Sequence, residues 1–242
     1  MAGKKIAGTD MKKIGIVGGL GPESTVEYYR CIMDAFKPTY QTLGFPEIAV
    51  ESVDLRMFTE QARGGDWDTI TEMLIDRFEN LRRGGAEFGA IASNTPHKVF
   101  DQVQKGTALP LLSIVAATRD HALQLGAGRL CLLGTAFTMQ SDFYQSTFQA
   151  AGMDVFVPDQ GEIEYIQDRI YSEIEFGIIK PETKAGFLRI IKRIETEQQV
   201  QGVILGCTEL PLLLKPADFN LHYIDTTAIH IAAIVDRCRA EP

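Results

Sequence analysis

The residues best placed to do chemistry stand together in Val203-Ile204-Leu205-Gly206-Cys207-Thr208-Glu209-Leu210-Pro211, where an apolar run stops at a glycine and gives way to a thiol, a hydroxyl and a carboxylate. The run reads as a buried strand, and in an open α/β sheet ligands collect beyond the carboxyl ends of the strands. A helix opening just after it presents unpaired N–H groups and a positive dipole end to the thiol. That setting favours a thiolate. A free cysteine titrates near ~8.5 and a helix N-terminus lowers it, which would let Cys207 serve as base, acid or nucleophile. The competing reading is a small buried hydrophobe, the usual role of a free cysteine; the polar cluster at a strand end favours the functional one.

Other strand ends repeat this pattern. Lys13 to Val17 reads as a buried strand running into Gly18-Gly19-Leu20-Gly21-Pro22-Glu23-Ser24-Thr25, a glycine turn with proline in the first turn of a helix. The order is not GxGxxG and no acidic partner is clear, so a carboxylate held by these N–H groups is favoured over a dinucleotide. Glu47 to Val53 alternates as a strand does, and Arg56 just beyond it has the planar fork of a carboxylate clamp, or is an ordinary surface arginine. Phe88 to Ala92 empties into Ser93-Asn94-Thr95-Pro96-His97, either a pocket rim or a plain helix cap.

Helical periodicity predicts helices over 66–83, 116–125, 162–179 and 183–198, and Leu109 to Val115 reads as a strand. From Arg129-Leu130-Cys131-Leu132-Leu133-Gly134-Thr135 the pattern starts over. Gly134 stands before Cys207 at nearly the spacing of Gly18 before Ser93, and each half then adds a strand and a helix. This predicts two pseudosymmetric three-layer α/β lobes with mainly parallel sheets and an interlobe cleft. The lobes would be 11–115 with 226–242, and 116–225.

At 242 residues with 45% hydrophobic content, the chain can build the cores this requires. Its net charge of −8 and scattered Lys and Arg give no indication of a phosphate-binding surface, so no nucleic-acid partner is expected. Cys31, Cys131, Cys207 and Cys238 lack CxxC spacing, and His97, His121, His222 and His230 lack metal-ligand spacing. Reduced thiols in the cytoplasm are therefore expected, without a disulfide frame or metal. No apolar run is long enough to span a bilayer, so no membrane partner is expected. The polar stretch Met1 to Asp10 precedes a second methionine and reads as a leader or tag.

Gly18 to Glu23, Ser93 to His97 and Leu205 to Leu210, taken in order, resemble the three signatures of the aspartate/glutamate racemase family, with similarity running from about Met11 to the C-terminus. The resemblance implies two pseudosymmetric α/β lobes, usually in a homodimer, acting on a small carboxylate or amino acid without pyridoxal phosphate or metal. In two-cysteine members one thiolate removes the α-proton and the opposite thiol returns one. The second cysteine falls on Cys207; the first falls on Ser93, whose hydroxyl is a poor initiating base. The resemblance then implies a one-sided racemase, a single-cysteine decarboxylase of malonate-type acids, or a catalytically silent carboxylate-binding protein. It places Asn94, Thr95, Thr208 and backbone N–H groups near Gly19, Leu20 and Cys207 on the α-carboxylate. It also places Thr135 and Thr227 at polar cleft positions and Arg56 and Lys180 as side-chain carboxylate clamps. His97 and Glu209 could tune the thiols, or serve as a packed ring and a first-turn charge.

Overall fold

The structure, a computed structural model, describes residues 11–38 and 44–240. The expected leader, Met1 to Asp10, lies outside the described residues. The chain forms two compact units. The first takes the described residues through Ala92, then Gln102–Leu112 and those from Ile231 on; the second is Ser93–Asp101 and Ser113–His230. Ser93–Asp101, expected with the first lobe, thus falls in the second, and the return to the first comes at Ile231, inside a helix.

In the first unit the elements run β1 (Ile14–Gly18), α1 (Pro22–Ala35), β2 (Ile48–Ser52), α2 (Leu55–Gly64), α3 (Trp67–Arg83) and β3 (Phe88–Ile91). Helix α4 (Phe100–Gly106) leads back from the second unit into β4 (Leu111–Leu112). The strands form one parallel four-stranded sheet in the order β2-β1-β3-β4. Strands β1 and β3 are buried along their whole length, which is why they read as continuous apolar runs, whereas edge strand β2 is only partly covered. Tyr28, Ile32 and Phe36 pack with Ile231, Ile234 and Val235 against this sheet.

The second unit holds α5 (Ile114–Gln124), β5 (Arg129–Leu133), α6 (Ala136–Gln140), α7 (Phe143–Gln149), β6 (Asp154–Phe156), α8 (Gln160–Ser172) and α9 (Pro181–Gln198). Then come β7 (Gly202–Leu205), α10 (Leu210–Leu213), β8 (His222–Asp225) and α11 (Thr226–Arg239), which runs on into the first unit. Its sheet is again parallel and four-stranded, in the order β6-β5-β7-β8. The two orders are the same, so β3 and β7 hold equivalent places. One face of this sheet packs on α8 and α9 through Ile163, Ile166, Phe187 and Ile191; Ile114, Tyr144, Phe148 and Ile224 form a second cluster.

Two expected elements are corrected. The strand expected over 109–115 shrinks to Leu111–Leu112, because Ser113 accepts the Ala116 N–H at 3.2 Å and starts a helix at Ile114. Ile114 and Val115 are buried as first-turn helical residues. The helix expected over 162–179 ends at Ser172. Glu173 turns the backbone to φ −132 and buries its carboxylate, which takes Arg169, Lys180 and Thr183 as partners. A short 3-10 turn, Ile174–Phe176, follows.

Candidate active site

Strand β7 is wholly buried and stops at Gly206, where an added Cβ would stand 3.0 Å from the Leu133 carbonyl. Glycine lets the ends of β5 and β7 close on each other, and Gly206 N–H donates to that same carbonyl at 2.6 Å. Cys207 follows, with only 8% of its surface exposed. Its thiol donates to Glu209 Oε2 at 2.9 Å, and the Thr208 hydroxyl donates to the same oxygen at 2.7 Å. Burial first, then the Glu209 charge and that hydrogen bond, and last the charge of Glu175, hold the thiol well above the ordinary cysteine range.

The thiolate expected from a helix N-terminus is thereby corrected to a protonated resting thiol. Helix α10 begins only at Leu210 and spans four residues, so it offers little dipole to set against desolvation and a carboxylate in contact. Glu175 rides on the 3-10 turn, which packs against α10. Its own carboxyl is pushed up by burial and then by the Glu209 charge. Glu173 anchors this turn from behind.

The turn after β3 lies in the same unit and has no carboxylate among its members. Ser93 is half-buried, and Thr95 opens a 3-10 helix, Thr95–Val99. His97 is fixed at both ring nitrogens: Nδ1 lies 2.9 Å from the Ser93 carbonyl, and Nε2 accepts the Ile114 N–H at 3.1 Å. A ring nitrogen that accepts from N–H carries no proton, so the proton is on Nδ1 and donates to Ser93 O. Burial, then His230 beside it, pushes His97 down to about 3. His97 is a packed, neutral ring that pins the turn through both of its nitrogens.

Asn94 is buried, with its Nδ2 donating to Thr226 Oγ1 at 3.2 Å and its Oδ1 accepting from the Tyr144 hydroxyl at 2.6 Å. The Thr226 hydroxyl in turn donates to Leu205 O at 2.8 Å, at the end of β7. The turn after β3 is therefore tied to the last residue of β7 by one run of hydrogen bonds. Thr227, next along α11, is buried with no partner for its hydroxyl among the described residues.

The profile of the Asp/Glu/hydantoin racemase family matches residues 17–234. The chain belongs to this family. Over 95% of its length it is 37% identical to a candidate Asp/Glu racemase from Yersinia pestis, covering all of that chain with a TM-score of 0.89. It is 36% identical to an aspartate racemase homologue from Pyrococcus horikoshii OT3 over the same share, again covering all of that chain, with a TM-score of 0.85. The broad specificity amino-acid racemase RacX of Bacillus subtilis (strain 168) is 25% identical over 218 residues, 89% of this chain and 93% of RacX.

Of the residues expected at the site, Ser93, Asn94, Thr95, His97, Thr135, Lys180, Cys207, Thr208, Glu209 and Thr227 lie in the second unit; Gly19, Leu20 and Arg56 lie in the first. Besides those whose partners are given above, three more are already engaged. Gly19, at φ +82, has its N–H on Thr25 Oγ1 at 2.8 Å, so that N–H is not an open donor as expected. Lys180 donates to the buried Glu173 at 3.1 Å, and Thr135 caps α6 by accepting the Thr138 N–H. Leu20 is 7% exposed, and Arg56 is an exposed residue whose Nε lies 3.9 Å from Glu60. Among the described residues no group of three or more His, Cys, Asp or Glu is placed to hold a metal ion, and no helix is long and apolar enough to cross a membrane.

Sequence reasoning missed Tyr144, Thr226 and Glu175. Tyr144 sits in an apolar helical stripe with Phe143 and Phe148, which reads as core. Glu175 falls inside what the periodicity takes for the exposed face of a helix. A carboxylate between Ile174 and Phe176, two residues before Gly177, is the signal available in the sequence.

Proposed function

We propose that this racemase-family chain is a pyridoxal-phosphate-independent isomerase of the acidic amino acids aspartate and glutamate, with Cys207 as its principal acid/base and Ser93 as a weaker partner. It would work as a homodimer, as the resemblance implies, in the cytoplasm, as its unpaired cysteines suggest. One observation carries the chemistry: the buried Cys207 thiol hands its hydrogen bond to Glu209 at 2.9 Å. A thiol raised this far is protonated at rest, and its thiolate is correspondingly a stronger base toward a carbon acid. Glu209 is the group that can take the proton.

The thiolate then removes the α-hydrogen, and the C–H electron pair passes into the conjugated carboxylate. A proton from the Ser93 hydroxyl or from water closes the opposite face, and solvent restores both groups. The second Nδ2 proton of Asn94, which has no acceptor among the described residues, and the buried Thr227 hydroxyl would hold the carboxylate as charge builds on it. Because serine ionises far less readily than a thiol, rates from the two enantiomers should be lopsided.

Deuterium uptake at Cα of L-aspartate or L-glutamate in heavy water tests the reading. Exchange should be lost in Cys207→Ala; exchange that survives that substitution rules the scheme out. The resting proton on Cys207 also favours a second reading, a donor to the enolate left when a substituted malonate loses carbon dioxide. Carbon dioxide release from a malonate, with no exchange into amino acids, would decide for it.

A further inference from the structure

We infer that Tyr144 and Thr226 are positioning residues of this site, setting the Asn94 side-chain amide so that it meets a substrate carboxylate with an N–H and never with its oxygen. The inference rests on the reading that the Asn94 turn and Cys207 serve one substrate. It starts from a polarity that the backbone imposes. The Leu205 carbonyl can only accept, so the Thr226 hydroxyl, 2.8 Å away, spends its single proton there. The Thr226 oxygen is then an acceptor, and the Asn94 atom 3.2 Å from it must be the amide nitrogen. Asn94 Oδ1 consequently faces the Tyr144 hydroxyl at 2.6 Å and accepts its proton.

Tyrosine and threonine hydroxyls can both reverse direction, so neither alone would fix the amide. The carbonyl at the end of β7 fixes the whole series. Tyr144 and Thr226 are fully buried and Asn94 is 5% exposed, so no water is at hand to satisfy a flipped amide. A flip would set the Asn94 oxygen against the Thr226 oxygen, whose own proton is spent on Leu205 O. The second Nδ2 proton is left over, and a carboxylate is its natural acceptor.

The test is the steady-state Cα exchange of the better of L-aspartate and L-glutamate. In Tyr144→Phe and Thr226→Val, KM should rise about tenfold, the worth of one net hydrogen bond, with kcat changed less than KM. Thr226→Ser keeps the hydroxyl and should restore KM to near the wild-type value. In an Asn94→Ala background, Tyr144→Phe and Thr226→Val should add nothing further to KM, whereas loss of packing alone would lower the melting temperature and leave KM in place. Equal fold-changes with and without Asn94, or an unmoved KM, overturn the inference. If the wild type turns over neither amino acid, the proposed function fails first, and the orientation is then read from the Asn94 side-chain 15N–1H2 pair, assigned by its loss in Asn94→Ala. That pair should shift in Tyr144→Phe and Thr226→Val and stay in Thr226→Ser; a pair that does not move overturns the inference on its own.

Discussion

Strands β3 and β7 take the same place in two sheets of the same order, and each runs out into a polar turn that carries a proline, yet the two turns are built from different physics. After β3 the partners are neutral: an imidazole with both nitrogens spent on backbone, and a carboxamide held between hydroxyls. After β7 a thiol and a hydroxyl share one carboxylate oxygen, with a second carboxylate, Glu175, close enough to be felt. On the proposed reading the first turn orients and the second carries the proton. A duplicated architecture can thus hold one fixed donor set and one mobile proton, because only the second turn combines an acid with a base in contact.

Removing the charge from the titrating turn should do the most damage. In Glu209→Gln the thiol loses its proton acceptor, and turnover should fall by about a hundredfold or more. The same change removes the repulsion that holds the thiol up, so the pH midpoint of Cys207 alkylation by iodoacetamide should move down even as catalysis is lost. An alkylation profile that stays put would show that Glu209 does not govern the thiol.

Making the turns more alike should come next. Ser93→Cys replaces a hydroxyl with a group that ionises far more readily, and exchange from the poorer enantiomer should rise by about tenfold. A rate that stays level or drops would remove Ser93 from the proton path.

The orienting turn should show itself through pH. His97 is held down to about 3 in the folded chain against about 6.5 when unfolded, so the unfolded state binds the extra proton between those values. Its contribution is complete above pH ~6.5 and is lost as pH falls toward ~3, at up to about 1.4 kcal/mol per pH unit for the single proton. Urea titrations along that range measure the loss, and the His97 ring resonances should stay flat from pH 8 to about 5. A ring that titrates near 6.5 would mean the Ile114 hydrogen bond is not held in solution.

The smallest effect is expected where a hydroxyl has no partner. Thr227→Val should change stability by less than about 1 kcal/mol, toward greater stability, since no hydrogen bond within the chain is given up. A rise in KM in the same variant would identify the hydroxyl as a substrate contact.

Most of the sheet architecture was legible in the residues, since buried parallel strands read as apolar runs and the glycine turns mark where they end. The errors fell where side chains redirect the backbone. Ile114 and Val115 read as strand until the Ser113 cap is known, and Glu173 reads as helix surface until its buried partners are known. Among the site residues, Cys207, Ser93, Asn94 and Glu209 announce themselves by their positions at strand ends. Tyr144 does not, because a tyrosine in an apolar stripe carries no local mark of the amide it touches.

Local pattern was enough to place a thiol and a hydroxyl at equivalent strand ends of a repeated sheet, because strand and helix periods are written within a few residues of each point. It could not set the proton on Cys207, the tautomer of His97 or the direction of the Asn94 amide. Those depend on how far water is excluded and on which groups from remote parts of the chain come within hydrogen-bonding distance. Here the packed structure outweighed the short helix α10 and turned an expected thiolate into a thiol hydrogen-bonded to a carboxylate.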